Sequence, residues 1–150
     1  MSSGTWIGQP SADALSLRLP RRPVALGLMR QELRQWLDRL GVGRDDTVEI
    51  VLASSEACAN AMEHPRDVGR AAIEVDARTR PREVEIVVRD FGTWASEAAP
   101  APGTRGRGLA IIRALMDDVS VVAGPHGTRV TMRRRLRPER GRRPAAGAPG

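Results

Sequence analysis

The first third of the chain shows two different hydrophobic periods. Apolar and polar residues alternate from Ala14 to Leu19, and Pro20 ends the run, which predicts an edge strand. From Pro23 to Leu40 the apolar residues recur at the spacing of a helix that packs on a core. They are Leu26, Met29, Leu33, Trp36, Leu37 and Leu40. Pro23 in the first turn and Gly41 after the last turn are usual at helix ends.

A second amphipathic helix is predicted from Val48 to His64, where Pro65 ends it. Asp45 or Asp46 is expected to cap its start. One stripe of this helix is expected to face the core, and it consists of Val48, Val51, Leu52, Ser55, Ala59 and Met62. The other side carries a polar stripe of Glu56, Asn60 and His64. Beside that stripe lie Ala53, Ala57 and Ala61, whose small side chains leave room for close packing.

The second half predicts two hairpins with a loop and a helix between them. The strands are 71–78, 84–89, 119–123 and 128–134, with turns at 79–83 and 124–127. A long loop without periodicity runs from Asp90 to Arg107, and a short helix opens at Gly106-Arg107-Gly108 and continues to Met116. Hairpins with inserted helices favour an α+β fold. We expect a two-layer α/β sandwich with a mixed, largely antiparallel sheet and helices on one face.

The length of 150 residues suits one domain with a single core. We expect a flexible lead-in at 1–13, a folded domain at 14–136 and a disordered tail rich in Arg, Pro, Gly and Ala at 137–150. The lone Cys58 lies inside a predicted helix, which favours a buried thiol in a reducing compartment. A signal peptide and a run of about 18 apolar residues are both absent from the sequence, so we predict a cytoplasmic protein without membrane attachment.

The basic charge is concentrated at the C-terminus. Residues 133–150 hold seven arginines and one glutamate, and this surplus equals the formal net charge of +6 of the whole chain. The rest of the chain is therefore neutral, and only 3% of the residues are aromatic, which argues against direct nucleic-acid binding. All 24 basic residues are arginine, which excludes a mechanism that needs a catalytic lysine.

Three short segments carry candidate chemistry. Glu56 and Asn60, one helical turn apart, can take a proton and ligate a hard cation such as Mg²⁺. A solvated helix face is the alternative. Asp90-Phe91-Gly92 follows a strand, and the glycine pair Gly106 and Gly108 opens a helix where phosphate binds favourably.

In this order and spacing the three segments resemble the N, G1 and G2 boxes of the GHKL ATPase superfamily, which has the Bergerat ATP-binding fold. The likeness is closest to the bacterial anti-sigma-factor serine/threonine kinases and their stand-alone ATP-binding relatives, and it spans roughly residues 14–134. The matching residues are Ser55-Glu56-Ala57, Asn60-Ala61, Val88-Arg89-Asp90-Phe91-Gly92, Gly106-Arg107-Gly108-Leu109, Met116-Asp117-Asp118-Val119 and Gly127-Thr128.

The resemblance implies a role for each site residue. Asn60 would hold Mg²⁺ at the phosphates of ATP, and Glu56 would be the general base for a substrate hydroxyl. The segment from Gly106 through Gly108 to Leu109 would approach the phosphates through backbone N–H groups. Asp90 would accept a hydrogen bond from the adenine amine. Gly92 would leave room for the base, and Thr128 would lie nearby.

The implied function is an anti-sigma-factor-type kinase that phosphorylates a Ser or Thr of an anti-anti-sigma (STAS-type) partner and thereby regulates transcription by partner switching. A sigma factor is the second implied partner, and the family suggests a homodimer. The alternative is an ATP-binding regulator that sequesters a sigma factor or another protein without phosphorylating it. Glu56 favours the kinase, because a pure binder does not need a carboxylate at that position.

Overall fold

The computed structural model describes residues 6–7, 11–63, 72–91, 104–125 and 127–138. In chain order the elements are β1 (Trp6–Ile7), β2 (Ala14–Leu19), α1 (Val24–Arg39), α2 (Arg44–Met62), β3 (Ile73–Arg80), β4 (Glu83–Asp90), α3 (Thr104–Leu115), β5 (Asp118–Gly124) and β6 (Gly127–Arg135). Across these described ranges, no helix is long and apolar enough to span a membrane.

The strands form one sheet in the order β1-β2-β3-β4-β6-β5, and every described pairing is antiparallel. Directly paired residues share a face, so side chains form rows across the sheet. One such row is Leu17, Val75, Val88, Val130 and Val121. This face joins the helices in a single apolar core. The prediction of an α+β sandwich with a largely antiparallel sheet is therefore confirmed.

The prediction of β2 as an edge strand was wrong. β1 pairs with β2 through Trp6↔Arg18 and Ile7↔Leu17, so β2 is the second strand of the sheet. The expected lead-in at 1–13 thus contributes a strand to the fold. A strand of two residues is too short to show an alternating pattern, which is why the sequence did not reveal it.

Helix α1 follows its prediction closely. Its buried side chains are Ala25, Met29, Leu33, Trp36 and Leu37. Gly41 has a φ of 75°, the left-handed conformation that ends many helices and that glycine adopts without strain.

The predicted core stripe of α2 was mostly wrong. Val48 and Leu52 are 57% and 44% exposed, whereas the alanine row beside the polar stripe is buried. The buried residues of this helix are Asp46, Ile50, Val51, Ala53, Ser54, Ala57, Cys58 and Ala61. The helix lies between α1 and α3 and also contacts β3, β4 and β6. Small side chains allow these neighbouring elements to pack closely against α2. The buried face of the helix is therefore the one that faces its neighbours, and not the one with the largest apolar side chains.

The start of α2 is capped differently from the prediction. The N-cap residue is Gly43, which has no side chain that could accept a capping hydrogen bond. Asp45 and Asp46, the predicted caps, lie inside the first turn of the helix. Asp46 is instead buried, and it accepts hydrogen bonds from Arg134 Nη2 at 3.0 Å and from the Arg137 backbone N–H at 2.8 Å. Arg137, expected at the start of the tail, is thus bound to the folded domain.

The two predicted hairpins are present. The first turn is shorter than predicted, because β3 and β4 continue to a two-residue turn at Pro81-Arg82, in which Arg82 has a φ of 61°. The last hairpin joins β5 and β6 between Gly124 and Gly127. Helix α3 begins at Thr104, so the glycine pair lies inside it rather than before it.

Candidate functional site

A cavity of about 120 Å³ opens between α2, α3 and the strands β4, β5 and β6. Its lining residues are Ala57, Asn60, Ala61, Val88, Asp90, Leu109, Val121, Ala123, Thr128 and Val130. Most of these side chains are apolar, while Asn60, Asp90 and Thr128 are polar. An apolar wall with a few fixed polar groups is typical of a small-molecule site, where the polar groups set the orientation of the ligand.

The metal-binding candidate Asn60 is packed against α3. Gly108 is buried, and a Cβ atom at this position would lie 2.5 Å from Asn60 Nδ2. A side chain at residue 108 would therefore displace the Asn60 amide. Gly106 lies in the first turn of α3, whose N–H groups have no intrahelical acceptor. A helix N-terminus beside a side-chain amide is a suitable surface for phosphate.

Asp90 is the last residue of β4, and its side chain is 5% exposed. It faces Thr128 of β6 in the strand register. The preceding Gly127 has a φ of 136°, and a Cβ atom there would lie 1.7 Å from the Asp90 carbonyl oxygen. Only glycine therefore allows the β5–β6 turn to come this close to the carboxylate-bearing residue.

Arg21, which no sequence motif marked, lies next to the same carboxylate. Its Nη2 is 3.3 Å from Asp90 Oδ2, and the side chain is 7% exposed. The connection between β2 and α1 brings it there, from far away in the sequence. A basic residue after a strand has no periodicity or motif that marks it as part of a site.

Glu56 occupies a different position from the other candidates. It is half-buried and lies one helical turn before Asn60, but it does not line the cavity. This location places a carboxylate on the same helix as the amide and outside the apolar pocket, where a second substrate could reach it.

The structure thus brings together Asn60, Asp90, Leu109 and Thr128 of the predicted site, with Gly108 directly behind Asn60. Gly92 and His64 lie outside the described residues, as does most of the predicted loop. The apolar lining residues of α2, β4, β5 and β6 were not predicted, because their pattern is that of ordinary core positions.

Cys58 is buried, as predicted, and burial raises the pKa of its thiol to about 12. The thiolate is the nucleophilic form of cysteine, so this thiol is unreactive at neutral pH.

The donor set around Asn60 is compatible with Mg²⁺. The residue offers one amide oxygen, a ligand type that Mg²⁺ accepts together with phosphate oxygens and water. Within the described ranges, no group of three or more His, Cys, Asp and Glu side chains is arranged to hold a metal ion. Asn60 would hold such a cation, which would supply positive charge beside bound phosphates.

Comparison with known proteins gives several matches. The protein-family model named histidine kinase-like ATPase domain matches residues 19–134 of this chain. The serine-protein kinase RsbW of Bacillus velezensis is 28% identical over 145 residues, which cover 87% of this chain and 90% of that protein. The protein of the same name from Bacillus licheniformis is 30% identical over 146 residues, with the same coverage.

Solved structures agree with these matches. The RsbU and RsbW domains of a Mycobacterium tuberculosis protein align with a TM-score of 0.67 and 31% identity, over 82% of this chain and 32% of that longer chain. The histidine kinase domain of a blue-light activated histidine kinase from Erythrobacter litoralis aligns with a TM-score of 0.54 and 21% identity, over 75% of this chain and 60% of that chain. The second likeness concerns the fold alone.

Proposed function

Because the chain belongs to the histidine kinase-like ATPase family, we propose that it is a serine/threonine protein kinase that binds ATP together with Mg²⁺. Family membership confirms the resemblance drawn from the sequence motifs. Two relatives with the name serine-protein kinase are covered over 90% of their length. The observation that carries the proposal is one cavity that has Asn60 and Asp90 on its wall.

Adenine would occupy the apolar part of the cavity. Val88, Leu109 and Val130 offer apolar contacts to a flat base, and Asp90 would accept a hydrogen bond from its exocyclic amine. Thr128 is paired with Asp90 in the sheet and would contribute a hydroxyl beside the same edge of the base.

The phosphates would extend along the junction of α2 and α3. Asn60 would hold Mg²⁺, which when bound supplies positive charge that offsets the charge of the phosphates. Backbone N–H groups near Gly106 would donate hydrogen bonds to phosphate oxygens, and Gly108 keeps α3 against the Asn60 amide.

Glu56 would act as the general base. It would take the proton of a substrate Ser or Thr hydroxyl while the hydroxyl oxygen forms a bond to the γ-phosphorus. The bond between the γ-phosphorus and the bridging oxygen breaks, and ADP leaves with the electron pair. The position of Glu56 outside the cavity suits a group that acts on the protein substrate rather than on the base.

We further propose that the phosphate acceptor is an anti-anti-sigma partner of the STAS type and that a sigma factor is the protein released by partner switching. A cytoplasmic location and a homodimer belong to the same proposal. Its support is the similarity to proteins named RsbW.

The second candidate is a regulator that binds ATP and sequesters its partner without transferring phosphate. This candidate needs only the residues that line the cavity and assigns no role to Glu56. A regulator of this kind would use the same contacts to adenine and phosphate.

Phosphate transfer distinguishes the two candidates. The protein is incubated with γ-labelled ATP, Mg²⁺ and a STAS-type protein encoded beside it, and a STAS variant with alanine in place of the acceptor serine is the matched control. The kinase proposal predicts label in the first STAS protein only. If the protein binds ATP but neither STAS protein is labelled, the kinase proposal is wrong and the ATP-binding regulator is supported.

A further inference from the structure

A buried arginine connects α2 and β4, two of the three elements that carry the polar groups of the cavity. Arg21 Nη2 donates a hydrogen bond to Asp90 Oδ2 at 3.3 Å, at the end of β4. The same Nη2 donates to the main-chain oxygen of Ala61, in the last turn of α2. Both acceptor residues line the cavity, and Ala61 directly follows Asn60. One guanidinium group therefore joins the two sides of the site.

The environment of Arg21 is unfavourable for an arginine that serves stability alone. Its side chain is 7% exposed, and Nε and Nη1 are buried without a hydrogen-bond partner among the described residues. Buried donors without acceptors destabilise a fold, and a buried ion pair is often replaced by apolar residues without loss of stability. The position of this arginine is better explained by a role in holding its two acceptor groups in place.

Each contact restrains one side of the cavity. The bond to Asp90 is charge-assisted, and it fixes the carboxylate that lines the cavity. The Ala61 carbonyl is one of the last four of α2, which lack intrahelical donors and attract positive charge. Because one nitrogen atom, Nη2, donates to both acceptors, it holds β4 close to the end of α2.

We propose that Arg21 is a positioning residue for recognition of the nucleotide base, an inference that rests on the proposed function. It lies behind Asp90, outside the cavity lining, and holds the carboxylate at the place where the adenine amine is read. Base selectivity thus depends on a residue that does not touch the base.

The experiment compares the affinities for ATP and for inosine triphosphate, whose base has a carbonyl in place of the amine. Calorimetry is performed on the wild type, Arg21→Met and Arg21→Lys. Arg22→Met is the matched control, because Arg22 is the exposed neighbour in the same turn. Circular dichroism and the thermal midpoint report folding of each variant.

Arg21→Met should bind ATP about 10- to 100-fold more weakly, which corresponds to the loss of a charge-assisted hydrogen bond, while inosine triphosphate affinity changes by less than about threefold. Arg21→Lys should lose part of the selectivity, because its ammonium sits on a flexible stem and is held less firmly between the two acceptors. The Arg21→Lys variant keeps the buried positive charge, so it can be measured even if Arg21→Met does not fold. Arg22→Met should match the wild type.

Two results would overturn the proposal. One is an unchanged ratio of the two affinities in both Arg21 variants, and the other is an equal loss for both nucleotides, as expected of a purely structural residue. A wild type without preference for ATP over inosine triphosphate would contradict the adenine site itself, which separates failure of the proposed function from failure of the role of Arg21.

Discussion

Two glycines shape the site by the side chains they lack. Gly108 allows α3 to pack against Asn60, and Gly127 allows the last turn to approach Asp90. The sequence indicated Gly108 through a motif and a phosphate argument, whereas the structure gives a steric reason for it. A hydrophobic pattern contains no information about distances between separate backbone segments, so these contacts could not be predicted from periodicity.

Glu56 is the residue at which the kinase and the regulator differ. Glu56→Gln should lower phosphate transfer by about 10²- to 10⁴-fold, the usual contribution of a general base, because the amide cannot take the proton. ATP affinity should stay the same, since Glu56 does not line the cavity. The measurement is single-turnover phosphate transfer with parallel calorimetry. Glu63→Gln, an exposed position at the end of the same helix, is the control and should change neither quantity.

If Glu56→Gln and Glu63→Gln transfer phosphate as fast as the wild type, Glu56 is an ordinary helix residue. The general base would then have to come from elsewhere.

Cys58 should control the alkaline stability of the protein. Burial raises its pKa from 9.0 to about 12, so between these values the unfolded chain releases a proton that the folded chain retains. Stability is therefore intact below pH 9 and falls as the pH rises, by up to about 1.4 kcal/mol per pH unit. The chain has no Lys or Tyr, the other side chains that ordinarily titrate between pH 9 and 12.

The free energy of unfolding in urea, measured at pH 7, 9 and 10.5, tests this assignment. Cys58→Ala should lower stability at pH 7 through a small cavity and abolish the decrease above pH 9. A decrease of the same slope in Cys58→Ala would mean that another group is responsible.

At the scale of elements, the type and order of helices and strands were predictable, and the orientation of α2 was not. The prediction assigned Val48 and Leu52 to the core because they are large and apolar. In the structure they are exposed, and the small residues Ala53 and Ala57 are buried. Hydrophobic periodicity predicts that a helix exists. Which face of the helix is buried depends on how closely the neighbouring helices and strands pack against it.

The C-terminal tail illustrates a second limit of composition. Residues 137–150 read as a uniform arginine-rich tail, yet Arg137 binds the first turns of α2. Its backbone N–H donates to Asp46, and its guanidinium lies 3.5 Å from Glu49. Arg134 joins the same two carboxylates. Pairing between residues this far apart in sequence depends on tertiary structure, which local composition does not encode.

Two truncations test this boundary. Ending the chain after Pro138 should leave the free energy of unfolding unchanged. Ending it after Leu136 should cost about 1–3 kcal/mol, because buried Asp46 loses a donor. ATP affinity should be the same in both, since Asp46 and Asn60 are separated by about 21 Å along α2 at the helical rise of 1.5 Å per residue. Equal stability of the two truncated chains would contradict the contact.

For the molecule as a whole, the fold places the groups proposed to bind the base and those proposed to bind phosphate on two separate layers. Asp90 and Thr128 belong to the sheet, and Asn60 and Gly108 belong to the helices. The cavity forms where these layers meet, beside the alanine row of α2. The motif resemblance was sufficient to predict this convergence, whereas the apolar lining and Arg21 became visible only in three dimensions.

Calorimetric titration with ATP determines whether this cavity is a Mg²⁺-dependent ATP site. Asp90→Asn should remove most of the binding, because the amide replaces an acceptor oxygen by a donor and leaves Arg21 without its counter-charge. Asn60→Ala should weaken binding at least about tenfold in Mg²⁺ and much less without it. Asp38→Asn, on the exposed side of α1, should bind as the wild type does. Equal affinity in all four folded proteins would contradict the assignment of the cavity.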